Sequence, residues 1–318
     1  MVAALLRVAD LRLAGRMVRI FFQIKFKKEI GMRRDLKFEL DPDLRERLDY
    51  TKMLIHCWVE SWGEDGVYVA FSGGKDSTVL LHIVRSLYPN IPAVFNNTGL
   101  ELPEIVQFVR SFENVVELRP KIPFHQVIEK YGWPVVSKEQ AWFIYEYRNT
   151  KSDKLRDLRW NGRPNGRSKI SEKWKYLVEA PFKISSVCCD KLKKNPAKKY
   201  EKLTGRAPML GIMQGEGQLR SQYSHTCNMY DVKRPISKPI LKWTEEDVWT
   251  YLKEFDVPYC SVYDDGWERT GCVFCMYGIH KDNPNRFQMI KETHPKLYDY
   301  CLNKLGAKQV LDFMKIPY

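Results

Sequence analysis

The chain has 318 residues, 44% hydrophobic and 29% charged, enough to bury one substantial α/β core with appendages. This composition excludes a disordered or low-complexity chain, and no apolar run is long enough to span a membrane. Lysine and arginine number 52 against 39 acids, and the resulting charge of +13 points to a polyanionic partner, either nucleic acid or a crowded nucleotide pocket. Eight cysteines, two of them adjacent, lack the dense framework of a secreted disulfide scaffold. They suit reduced thiols or metal ligands, so a cytoplasmic location is expected.

Residues 1–31 intersperse arginines with apolar residues but have no clean apolar core of a targeting signal. They read as an extension, and Met17 and Met32 are each possible starts. Leu44, Leu48, Met53, Ile55 and Trp58 recur at helical spacing, which predicts a helix over 41–62. A buried strand at 67–71 then runs into Ser72, Gly73, Gly74, Lys75, Asp76 and Ser77, followed by an apolar helix over 78–87. Two glycines let backbone N–H groups face an anion closely. The helix start adds partial positive charge, and Lys75 and the serine hydroxyls add donors. The spacing does not fit GxxxxGK[ST]. SGGKDS after a strand resembles the PP-loop of the adenine nucleotide α-hydrolase superfamily.

A second strand at 93–97 ends in Thr98, Gly99, Leu100 and Glu101, and a βαβ unit of this length implies parallel strands. Ligands of open α/β sheets bind at such strand ends, so Thr98, Gly99 and Glu101 belong beside the phosphate loop. Helix 102–112, strand 115–118 and helix 124–131 follow, the last stopped by Gly132-Trp133-Pro134. Between 151 and 175 nine basic residues face three acids, with Trp160 and Trp174 interleaved and Tyr176 just beyond. Its centre, 161–167, is turn-rich and expected to be mobile. Arg159, Arg163, Arg167, Lys169 and Lys173 suit phosphate contacts beside base-stacking aromatics; a solvated insertion is the alternative. A strand near 207–213 leads to a polar turn holding Glu216 and Arg220, and Thr244 to Asp247 announces a capped helix over 248–255.

Cys188-Cys189 lies far from Cys272-x-x-Cys275, yet both follow polar loops that the topology could bring together. Four such thiols could hold a zinc ion or edges of an iron–sulfur cubane, and spacing alone does not choose; buried free thiols are the alternative. Cys227, near the basic residues, and Cys260 could each replace one of the four as ligand or serve as a persulfide carrier, an ordinary buried thiol being the simpler reading of Cys260, and Cys57 reads as core. The six histidines form no constellation.

In order, SGGKDS, NTGLE, Cys-Cys before a lysine-rich helix, Gly211, Glu216, Arg220, the stretch from Ser237 to Trp249 and Gly271-Cys272-x-x-Cys275 resemble the phosphoadenylyl-sulfate (PAPS) reductase family over roughly 50–280. The resemblance implies an α/β PP-loop fold, a Rossmann-like parallel sheet with flanking helices and a cysteine-bearing C-terminal segment. It implies a [4Fe–4S] cluster on Cys188, Cys189, Cys272 and Cys275, with zinc as the alternative. It further implies that Ser72, Lys75 and Ser77 hold phosphate or sulfate oxygens and that Arg220 clamps an anion. Two departures stand out: the family's Glu-Cys-Gly-Leu-His segment is missing, with Cys301 in unrelated surroundings, and Gly217 replaces a common serine. The expected division is an extension at 1–50, a PP-loop domain at 51–265 with a basic insertion near 147–180, and a C-terminal segment at 266–318.

The expected activity is ATP binding and AMP formation coupled to iron–sulfur-dependent sulfur transfer, with Lys75, Asp76 and Cys227 as catalytic residues and Asp76 as a Mg²⁺ contact. The expected acceptor is tRNA or DNA, and the sulfur donor a partner such as a cysteine desulfurase. The alternatives are a reductase releasing sulfite from adenylyl sulfate or PAPS, and a non-catalytic nucleotide sensor that binds nucleic acid.

Overall fold

The computed structural model describes residues 41–214 and 226–318, so residues 1–40 of the expected extension and the expected contacts of Glu216 and Arg220 lie outside the described residues. In chain order the elements are α1 (Pro42–Trp62), β1 (Val67–Ala70), α2 (Lys75–Leu87), β2 (Ala93–Asn96), α3 (Pro103–Arg110), β3 (Val115–Leu118), α4 (Phe124–Tyr131), β4 (Val135–Val136), α5 (Lys138–Asn149) and α6 (Asp153–Asn161). There follow α7 (Asn195–Thr204), β5 (Ala207–Leu210), β6 (Asn228–Met229), β7 (Ile236–Ser237), α8 (Glu245–Glu254), β8 (Met276–Tyr277), α9 (Arg286–Thr293), α10 (Pro295–Asp299) and α11 (Ala307–Met314).

The main sheet runs β3-β2-β1-β5-β7-β6. Every neighbouring pair is parallel except β6 with β7. Val67, Tyr68 and Val69 on β1 and Ala93, Val94 and Phe95 on β2 are all buried, as expected of strands covered on both faces. The chain leaves β1 to one side through β2 and β3 and returns on its other side at β5. The crevice past the carboxyl end of β1 is therefore a topological switch point, where open sheets bind ligands.

Helix α1 buries Leu44, Leu48, Leu54, Ile55 and Trp58. It is latched to the segment before α8: Thr51 donates to the Pro239 carbonyl at 3.1 Å, the Trp243 indole donates to the Thr51 hydroxyl at 2.9 Å, and Arg47 pairs with Asp247 at 2.7 Å. Thr244 and Asp247 form the expected capping box at the start of α8.

In the basic insertion, the turn-rich 161–167 stretch closes on itself, the Arg163 N–H reaching the Arg167 carbonyl at 2.9 Å and the Gly166 N–H the Arg163 carbonyl at 2.8 Å. A second sheet pairs β4 with β8 in parallel and draws the cysteine-bearing C-terminal segment back onto the chain after α4. No helix among the described residues is long and apolar enough to cross a membrane.

Candidate nucleotide and cysteine site

The phosphate loop joins β1 to α2, and the helix begins at Lys75, three residues earlier than the apolar pattern suggests. Half of SGGKDS is thus the first helical turn. Gly73 has φ of 75°, and a Cβ there would stand 2.8 Å from the Val109 side chain. A Cβ on Gly74 would meet the Thr270 hydroxyl at 2.4 Å. Inside the turn, Ser77 Oγ accepts from the Ser72 N–H at 3.1 Å and donates to the Gly74 carbonyl at 2.9 Å, fixing its curvature. No side chain caps α2; the Lys75 N–H instead donates to the Tyr263 hydroxyl at 2.9 Å.

A cavity of about 130 Å³ opens beside the loop, walled by Ser72, Asn96, Glu101, Lys193, Thr270 and Gly271 among others. Lys75 is not in its lining. The Lys75 ammonium lies 3.2 Å from Glu245 and 3.6 Å from Asp76, within 6.0 Å of the Trp249 and Tyr263 ring centres. Burial works to lower its pKa, but Asp76, Tyr263 and Glu245 raise it overall, so the group is a cation. The turn after β2 is fastened by Glu101, whose carboxylate accepts from the Thr98 N–H at 2.9 Å, the Thr98 hydroxyl at 2.8 Å and the Leu100 N–H at 3.2 Å. Gly99, with φ of 74°, completes it.

The two cysteine pairs meet. Cys188, Cys189, Cys272 and Cys275 line one small cavity of about 20 Å³ with an apolar wall that includes Leu100, Phe124 and Tyr277. One short stretch, 132–136, staples both halves. The Trp133 N–H donates to the Lys183 carbonyl at 2.8 Å and its carbonyl accepts from Ser185 at 3.1 Å, which places the chain entering Cys188; Val135 and Val136 pair with Met276 and Tyr277, which places Cys275. Gly132 is required here, because a Cβ would strike the Lys183 backbone at 2.3 Å.

Burial pushes the Cys188, Cys272 and Cys275 thiols upward, Cys275 to about 11. Lys193 is raised, first by the charge of Cys272 and then by Glu101, against the opposing effect of burial. Among the described residues no three His, Cys, Asp or Glu side chains are set to hold a single metal ion. Four thiols from two segments line one cavity with a lysine beside them, a donor set that suits either one zinc ion or an iron–sulfur cluster.

Lys193 borders both cavities. The Val273 N–H donates to the Leu100 carbonyl at 2.8 Å, and Cys272 Sγ lies 4.0 Å from the Thr98 hydroxyl, so the turn after β2 touches the C-x-x-C loop directly. Arg286 supports that loop, donating to the Cys272 carbonyl at 3.1 Å.

Other expected site residues lie elsewhere. Cys227, expected as a sulfur carrier, is 4% exposed and packed with Leu54 and Leu241; burial raises its thiol, which leaves it a poor nucleophile that borders neither cavity. Arg159, expected on nucleic acid, is turned inward, paired with Glu146 at 2.6 Å and stacked 4.2 Å from the Phe143 ring centre. Lys169 pairs with Glu172, while Arg163, Arg167 and Lys173 are exposed and form no ion pair among the described residues. Lys193, Tyr263, Thr270 and Arg286 escaped sequence reasoning. Only Lys193 left a trace there, four residues after Cys189 and so one helical turn on, in a run where every neighbour but Leu192 is also polar.

A parallel sheet with a glycine-turn anion loop at its switch point defines the α/β PP-loop class. The family model for the phosphoadenosine phosphosulfate reductase domain matches residues 66–159 and 144–277, about two thirds of the chain. The chain belongs to that family. It is 25% identical over 240 residues to the adenosine 5′-phosphosulfate reductase of Geobacillus kaustophilus, covering 75% of this chain and 82% of that one. It is 26% identical over 295 residues to an uncharacterised protein of Methanocaldococcus jannaschii, covering 87% of this chain but only 59% of that relative's length. Among solved structures, the PAPS reductase of Candida auris superposes with a TM-score of 0.43 at 14% identity, covering 74% of this chain and 97% of that one.

Proposed function

We propose that this protein binds ATP at the phosphate loop and forms AMP while transferring sulfur to a nucleic acid, with a [4Fe–4S] cluster on Cys188, Cys189, Cys272 and Cys275. One observation carries the reading: the nucleotide cavity and the cysteine cavity share Lys193 and the turn after β2. Activation and sulfur handling are then neighbours. An acceptor oxygen attacks the α-phosphorus, the bond to the β-phosphate breaks and pyrophosphate leaves. The terminal sulfur of a persulfide from a donor such as a cysteine desulfurase is released at the sulfide level by a two-electron dithiol reductant that becomes a disulfide; that sulfide displaces the adenylated oxygen, and AMP departs with it.

The chain's residues have defined parts. Ser72 and the loop N–H groups meet the departing phosphates, and Lys75 holds positive charge behind the loop. Lys193 is placed to neutralise charge between nucleotide and thiolates. The cluster, when bound, supplies a site at which sulfur can be held close to the activated oxygen. Among the described residues, the remaining Cys227, Cys260 and Cys301 are buried and Cys57 is half-buried on α1 with its thiol raised by burial, which disfavours a free attacking thiol of the reductase kind.

The test is AMP formation from ATP by anaerobically purified protein, with and without tRNA or DNA, compared with Lys193→Met and Ser72→Ala. AMP that rises with polynucleotide and falls in both variants is expected. No AMP in any condition sinks the proposal, and sulfite released from adenylyl sulfate with thioredoxin would replace it with the reductase reading.

A further inference from the structure

A cavity of about 980 Å³ lies outside both sites described above, between the 173–176 segment, the 279–288 segment and the 312–317 tail. Its volume is at the upper end of the range for small-ligand pockets. One wall is a run of aromatic rings: His280 and Trp174 have centroids 4.9 Å apart, Trp174 and Tyr176 6.2 Å, and Tyr176 and Phe313 5.7 Å. Trp174 is buried, while Tyr176 stays 39% exposed and offers a ring face.

The charges around this wall are sorted. Asp312 is engaged by Lys308 at 3.3 Å and by the Tyr318 hydroxyl at 2.6 Å, and Asp282 faces Arg286 at 4.0 Å. Lys173 and Lys315, also in the lining, carry no ion pair among the described residues; Lys173 lies over the Trp174 ring at 5.0 Å. The Nδ1 atom of His280 is buried and has no hydrogen-bond partner among the described residues. Burial, then Lys173 and Lys281, lowers this histidine's pKa, so at neutral pH the ring is uncharged and can donate or accept. Stackable faces, two cations without a carboxylate partner among the described residues and a buried polar atom without a partner match the parts of a nucleotide.

The cavity is also close to the cysteines. Tyr277 borders the cysteine cavity and Ile279 and His280 border this one; four residues of chain from Cys275 to Ile279 span at most about 14 Å.

We infer that this cavity receives an unstacked nucleotide of a single-stranded nucleic acid, its base against Tyr176, Trp174 and Phe313 and its phosphate toward Lys173 and Lys315. The inference rests on the reading that the sulfur acceptor is a polynucleotide, and it names the surface that would hold it.

The test uses anisotropy of fluorescein-labelled 12-nucleotide oligo(U) and oligo(dT) with the full chain and no ATP, so its outcome is independent of AMP formation. Tyr176→Leu and Phe313→Leu retain an apolar side chain but remove the rings, and each is expected to weaken binding roughly tenfold while the thermal midpoint shows that the fold survives. Lys173→Gln with Lys315→Gln changes surface positions only, and should reduce the slope of log K against log[salt] by about 1.4. Photocrosslinking of 4-thiouridine-substituted oligo(U) to the unaltered protein should give adducts on Trp174, Tyr176 or Phe313. The inference fails if the unaltered protein binds neither oligonucleotide, if ring and lysine variants bind like it, or if adducts map elsewhere. It also fails if free UMP displaces the strand at equal nucleotide concentration, which would make the ligand a mononucleotide. Strand binding through these residues without AMP formation would leave this inference standing and remove the proposed function alone.

Discussion

The two halves of the candidate site are built in opposite ways. The phosphate half comes from consecutive residues: β1, the glycine turn and the first turn of α2 form one local unit whose shape follows from Gly73's left-handed φ and the Ser72–Ser77 hydrogen bonds. The cysteine half is wholly non-local. Its thiols come from two segments more than 80 residues apart, each held in place by the stretch 132–136. A local site is preserved by its own turn chemistry, whereas a non-local one depends on every contact that brings its segments together.

The largest effect should fall on the cysteine half. Cys272→Ser and Cys188→Ser are each expected to abolish iron binding, read as iron content and visible absorbance after anaerobic reconstitution, with nucleotide affinity little changed. Retention of a full iron complement in both would break the contrast between the halves. Lys193→Met tests the junction: by analogy with groups flanking metal ligands it should reduce AMP formation by about 10- to 100-fold, while the iron content stays near normal. An equal loss of iron would mean that Lys193 belongs to the cysteine half alone.

A smaller effect is predicted for Arg159→Ala. Removing an ion pair whose partners are mostly shielded, together with its ring contact, should destabilise the fold by about 2–3 kcal/mol in urea denaturation. Oligonucleotide affinity should not change, and a selective loss of affinity at full stability would return Arg159 to the binding surface. The smallest is Tyr263→Phe, which takes the hydroxyl from the Lys75 N–H. A cost of about 1 kcal/mol to the ligand-free protein is expected, with an ATP affinity equal to or a few-fold higher than before; a large fall in affinity would mean that the phenol serves the bound nucleotide.

The legible parts of the molecule were those that sequence neighbours determine. SGGKDS, the NTGLE turn and the Thr244–Asp247 cap all appear where residue chemistry places them. The meeting of Cys188-Cys189 with Cys272 and Cys275 could be suspected from the polar loops before each pair and from resemblance, but what brings them together could not be read, because β4 and β8 are two residues long and give no periodicity. Arg159 misled because a basic, aromatic-rich stretch looks the same in sequence whether its cations face solvent or, as here, Glu146 and Phe143. Tyr263 and Thr270 were invisible for a related reason: nothing in residues 260–271 marks them as the cover of a loop more than 185 positions upstream.

The order in which these pieces leave the ribosome has a consequence. At roughly 5–20 residues per second, the phosphate loop emerges about 10–40 s before Tyr263, and Cys188-Cys189 about 4–17 s before the C-x-x-C pair. For that interval a nascent chain carries an anion-binding turn without its phenol cover and two adjacent thiols without their partners. The pair is open to oxidation until β8 docks on β4, so insertion of any group that needs all four thiols must await synthesis of the C-x-x-C pair. Yield of competent protein should then depend on how reducing the surroundings are during translation more than on iron supply beforehand.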